Sequence, residues 1–135
     1  MKRVWAREVA MKMLYAEAVG GEDSVEAVLE QSEGQAELNE KEQAFLETLL
    51  EGVHAHREEL DAKIVAYSSN HSLSLISKVD LCILRIGLFE LLYLEGTPVG
   101  ATINEAVKLA KQFSAEKSAG FVNGVLGAAA KANEV

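Results

Sequence analysis

The stretch KSAGFVNGVLG, residues 117–127, gathers the groups in this chain best suited to hold a base and its phosphate. Gly120, Phe121 and Asn123 stand near the start of a predicted helix. There the backbone amides lack intrahelical acceptors, and the positive end of the dipole favours an anion. An aromatic ring beside such amides, with Lys117 close by, suits a stacked base and its phosphate. The same stretch holds three glycines, each costing about 1 kcal/mol against alanine inside a helix. Gly120 and Gly124 are four apart and Gly127 is three further on, so they form one smooth strip. The spacing predicts a close helix–helix contact at Gly124 and Gly127, and a place on the ligand surface for Gly120.

A second basic group lies at the other end of the chain. Arg3 and Arg7 share one face of a predicted first helix, with Lys2 at its start. Cations there oppose the helix dipole, which weakly favours an anionic partner. Two further charges, Arg85 and Glu90, sit in the most apolar segment. The plain reading is that both reach out to the surface; the functional one is that Asp80 and Glu90 mark a polar edge for a protein partner. His54 and His56 are two apart, so on a helix they point about 200° apart and cannot share a metal. His71 reads as a surface residue in a serine-rich stretch. No nucleophile elbow, phosphate loop or cofactor fingerprint of known spacing occurs, so catalysis and cofactors have no support.

The chain has 135 residues, 49% hydrophobic and 25% charged, enough for one domain with its own core. One cysteine, Cys82, lies in an apolar run, which leaves no intramolecular disulfide and fits a reducing cytoplasm. No signal-length or membrane-spanning apolar run is present. The net charge of -8 argues against general nucleic-acid binding, but the charge is segregated. Residues 1–16 carry net +3, residues 17–61 net -12 and residues 62–135 net +1. A local anion site therefore fits a globally acidic protein.

Apolar residues recur at three and four and proline occurs once, at Pro98, so the chain reads as all-α with about seven helices. The first spans about residues 3–19 and stops at Gly20-Gly21. Asp23 with Glu26 caps a short second helix ending at Gly34. Asn39 with Glu42 opens a long third helix carried to about Tyr67. The segment SSNHSLSLIS, residues 68–77, reads as a linker with one helical turn, separating subbundles of about 1–68 and 77–135. Ser77 and Asp80 open the central helix VDLCILRIGLFELLYL, apolar nearly all round and so buried on most sides. Thr97-Pro98 starts the next helix, to Phe113, and Ser114 caps the last, from Ala115 to about Ala132.

The string VDLCILRIGLFELLYLEGTPVGATINEAVKLAKQFSAEKSAGFVNGVL resembles the signature of the bacterial antitermination factor NusB family, notably in ILRI, FEL, INEAVKLAK and FVNGVL. AREVAMKMLY is similar to that family's first helix. The resemblance implies an all-α fold of two helical subbundles and no enzymatic activity. It implies binding of single-stranded boxA RNA from ribosomal RNA leaders, together with ribosomal protein NusE, in a complex that loads onto RNA polymerase. By position, the family's basic N-terminus falls on Lys2, Arg3 and Arg7, and its RNA-facing aromatics on Tyr15 and Phe121. Lys117 and Gly120 fall in the same patch, and Asp80 and Glu90 on the NusE-facing edge. The basic start is short, interrupted by Val4 and Trp5. Either the partner supplies much of the charge, or Trp5 stacks on a base. Alternative forms are a homodimeric adaptor and a detached NusB-like domain of a ribosomal RNA cytosine methyltransferase. The latter requires a fragment, since no catalytic domain follows Val135.

Overall fold

The computed structural model describes residues 2–20, 38–69 and 71–133, with the side chain of Lys2 left aside. Every regular element among them is helical: α1 (Lys2–Ala18), α2 (Glu40–Ala55), α3 (Arg57–Tyr67), a 3-10 turn (Leu73–Leu75), α4 (Lys78–Tyr93), α5 (Val99–Phe113) and α6 (Ser118–Ala132). The short helix expected after Asp23 lies outside the described residues. No helix among them is long and apolar enough to cross a membrane.

The apolar character of α4 makes it the axis of the fold. Residues 80–91 are all buried, and α1, α2, α3, α5 and α6 each pack against it. One continuous cluster runs from Val9, Leu14, Leu46 and Leu49 through Leu84 and Leu88 to Leu109, Val122 and Leu126. Cys82 is fully buried there, and that burial pushes its thiol from 9.0 up to about 11, against a smaller opposing pull from Arg85 and Arg57.

Local signals set several boundaries. Asn39 accepts from the Glu42 amide while the Glu42 side chain accepts from the Asn39 amide, a reciprocal cap that starts α2. Ser77 likewise accepts from the amide of Asp80 and starts α4. The turn between α4 and α5 needs Gly96, whose φ of +96° suits a residue without Cβ.

Other expectations are corrected. The long helix through Tyr67 is two helices that break at His56, whose ψ of 18° leaves the helical run. The break lets Leu49 and Val53 of α2, and Leu60 and Ile64 of α3, all reach the core, while the His56 ring stacks on Tyr93 at 4.1 Å. Arg85 and Glu90 do not reach out to the surface. Arg85 is buried and donates to Asp61 of α3 at 2.7 and 3.1 Å, and Glu90 is buried against Arg7 of α1. Paired partners on neighbouring helices remove the penalty that would otherwise drive such charges outward.

The glycine strip is also corrected. A Cβ at Gly120, Gly124 or Gly127 would meet nothing within 4 Å, so these residues make no close helix contact. The close approaches are elsewhere: a Cβ at Gly52 would fall within the Phe89 ring, and one at Gly87 would lie 2.8 Å from Leu126.

Candidate nucleic-acid interface

The turn between α5 and α6 and the first turn of α6 form the best-defined part of the site. Ser114 does not cap the last helix as expected; its hydroxyl donates to Asp80 Oδ1 at 2.6 Å, and the Ser118 hydroxyl donates to Asp80 Oδ2 at 2.9 Å. With Ser114 drawn down onto α4, α6 starts at Ser118, one turn's length later than expected, and Lys117 takes the capping position with no side-chain bond to the helix. Among the described residues no backbone acceptor meets the amides of Ala119 and Gly120. Exposed Lys117 thus stands at a positive helix end with two amides that have no backbone acceptor.

Phe121 lies half-buried beside this end, its ring 5.7 Å from that of His71 and tilted by 58°. His71 is held by a hydrogen bond between its Nδ1 and the backbone oxygen of Ser68. Together they flank a cleft of about 410 Å3 whose walls include Leu75, Ser77, Asp80 and Lys117. Leu75 is 77% exposed, so an apolar surface adjoins the two rings. His71 escaped sequence reasoning because nothing in the spacing joins residue 71 to residue 121.

The expected cations of α1 divide. Arg3 is exposed; its guanidinium lies 4.6 Å from the centre of the Phe45 ring and donates to Thr97 at 2.9 Å. Arg7 is only 5% exposed and gives two hydrogen bonds, of 2.8 and 2.7 Å, to the two oxygens of Glu90. Arg7 is therefore a tie between α1 and α4 and not a surface cation. Lys2 is the first residue of α1. Tyr15 is 39% exposed, one turn beyond Lys12. Lys12 pairs with Glu8 at 3.0 Å and sits 4.8 Å over the ring of Phe113, at the end of α5.

Arg3 at Thr97 and Lys12 at Phe113 place the start of α1 near the start of α5 and the middle of α1 near the end of α5. The Tyr15 end of α1 is thereby brought toward the turn that carries Lys117, while Arg3 is held at the opposite end. About 18 Å of helix separates Arg3 from Tyr15. Gly120, Phe121 and Asn123 share the first two turns of α6, with Lys117 at its cap and with Asn123 and Gly120 exposed. Asp80 and Glu90 present no open edge: Asp80 is 7% and Glu90 4% exposed, with both oxygens of each engaged. They tie α6 and α1 to α4 and are almost wholly withdrawn from solvent.

Comparison with known proteins bears on the family and the fold. The family model described as the NusB family matches residues 5–131. The transcription antitermination protein NusB of Acetivibrio thermocellus is 40% identical over 131 residues, covering 97% of this chain and 90% of its own. That of Geobacter sulfurreducens is 41% identical over 123 residues, covering 89% and 87%. Among solved structures, T. maritima NusB superposes with a TM-score of 0.81 at 29% identity, covering 96% of this chain and 90% of that one. A structure of antitermination factors NusB and NusE in complex with dsRNA gives a TM-score of 0.81 at 31% identity, covering 97% of each chain. On sequence, on fold and across nearly its whole length, the chain belongs to the NusB family.

Proposed function

We propose that this chain is a binding factor for transcription antitermination and not an enzyme. It holds single-stranded boxA-type RNA of ribosomal RNA leaders together with ribosomal protein NusE, as part of a complex on RNA polymerase in the cytoplasm. The observation that carries this reading is the pairing of Phe121 with His71 beside an uncapped helix start bearing Lys117. Rings able to stack a base adjoin donors able to take its phosphate. Tyr15 and Lys12 extend the surface along α1, and Arg3 and Lys2 supply charge at its far end. Relatives named as antitermination proteins, and a similar NusB structure that contains NusE and RNA, support the assignment.

The mechanism is scaffolding. Asp80 and the two serines it holds fix the turn that presents Lys117 and Phe121, and the Arg7–Glu90 pair fixes α1. Two ligands that favour the same ordered surface raise each other's affinity by the same factor. Titration of a fluorescently labelled boxA RNA, with and without NusE, tests the reading, with a scrambled strand and a duplex as controls. Tighter binding of the boxA strand in the presence of NusE is the expected result. Equal affinity for boxA and scrambled strands, unchanged by NusE, overturns it.

A further inference from the structure

A second groove, of about 580 Å3, runs between α5 and α6. Ile103 and Val107 of α5 form its apolar floor with Ala119 of α6, and Asn104, Lys111 and Asn123 carry its polar groups. None of these three polar side chains has a hydrogen-bond partner among the described residues. The groove faces about 150° round α6 from the Phe121 cleft. Gly120 and Gly124 occupy the ridge between the two, where a Cβ would meet nothing. No packing inside the protein accounts for glycine there, while its absence of side chain makes the ridge a low saddle.

Charge indicates the occupant. Residues 99–132 carry Lys108, Lys111, Lys117 and Lys131 against Glu105 and Glu116, net +2 in a chain of net -8. Neither acid lines the groove. We propose that this groove is a second segment of the RNA track. A single strand anchored at Phe121 and Lys117 crosses α6 over Gly120 and Gly124 and enters the groove. Lys111 takes a phosphate there, while Asn104 and Asn123, each with a donor and an acceptor, read the edges of unstacked bases. The inference rests on the RNA-binding reading above. The lysine of the lining, its side-chain amides and the place of Gly120, which lines the groove next to Phe121 of the first cleft, favour RNA over a protein element here.

The test uses the full chain with NusE and two labelled RNAs: a boxA oligonucleotide, and the same strand extended by about six uridines at either end in turn. The wild type binds one of the extended strands more tightly. Asn104→Ala and Gly124→Leu keep wild-type affinity for the short RNA and lose roughly three- to tenfold on that extended one, the first on the scale of a lost neutral hydrogen bond and the second because its side chain fills the saddle. Lys111→Ala lowers the log–log salt slope for the extended strand by about 0.7. Thermal melts confirm that each variant is folded. If neither extension tightens binding, or if the groove variants match wild type on both RNAs while Phe121→Ala weakens the short one, the groove inference fails and the RNA-binding reading stands. Loss of NusE retention with RNA affinity intact assigns the groove to the protein partner and overturns the inference. Failure of the wild type to bind either RNA removes both.

Discussion

Phe121 divides its ring between the edge of the core and the cleft shared with His71. Phe121→Ala is expected to lower RNA affinity by about 1–3 kcal/mol, the worth of one base–aromatic stack. Its cost in a denaturant melt stays below the 3–5 kcal/mol of a fully buried phenylalanine; a loss of the full core amount would place the ring inside and the RNA elsewhere. Arg3 and Arg7, alike in sequence and one turn apart, part company in the same two measurements. Arg7→Ala leaves Glu90 buried without its partner and destabilises the fold by about 3–5 kcal/mol, whereas Arg3→Ala weakens RNA binding with little change in the melt. Equal effects of the two on stability would contradict the pairing. Cys82 adds a pH dependence. Its folded thiol titrates at about 11 against 9.0 for the free group, so on raising the pH the unfolded chain loses its proton first. The stability from the neutral buried thiol is complete below the unfolded value and is lost as pH rises from there toward 11. Denaturant midpoints at about pH 8 and about pH 10.5 should therefore diverge less in Cys82→Ala than in wild type.

At the scale of elements, the glycines supply the sharpest contrast. Gly52→Ala and Gly87→Ala drive a methyl group into Phe89 and Leu126 and are expected to cost about 1–3 kcal/mol. Gly127→Ala meets only open space and is expected to stabilise α6 by about 0.5–1 kcal/mol. Thermal melts of the three variants decide; a destabilised Gly127→Ala would restore the close helix contact that spacing alone predicted. Spacing showed that the strip exists, but not which side of α6 faces the protein, because a row of glycines has no hydrophobicity to orient it. The caps at Asn39 and Ser77 were legible because donor and acceptor lie three residues apart. The ties from Asp80 to Ser114 and Ser118 span 34 and 38 residues, and that from Arg7 to Glu90 spans 83. No local pattern encodes such distances. So Asp80, Arg7 and Glu90, singled out from sequence as points of contact, are buried ties between helices.

For the whole molecule, with Arg7 buried against Glu90, the proposed phosphate partners for a short boxA strand are Lys2, Arg3 and Lys117. Three contacts give a log–log salt slope of about -2, measurable by titration from low to moderate salt, and a slope near zero would remove the electrostatic part of the site. The remaining charges of the core have a mechanical consequence. Asp80, Arg85 and Glu90 lie five apart on α4, so successive members turn by about 140° and fan outward in three directions. They meet the α5–α6 turn, α3 and α1, respectively. Like the wards of a key, they fit only one alignment. An apolar rod alone could slide or rotate among its neighbours at small cost, because one leucine substitutes well for another. Sliding α4 by one residue would swing all three charges through about 100°, breaking two ion pairs at about 3–5 kcal/mol each and taking Asp80 away from its two serine donors. That is comparable to the typical margin of about 5–15 kcal/mol for a whole domain. A shifted packing of the same helices is thus nearly as costly as unfolding, and the fold has a single register in which to assemble.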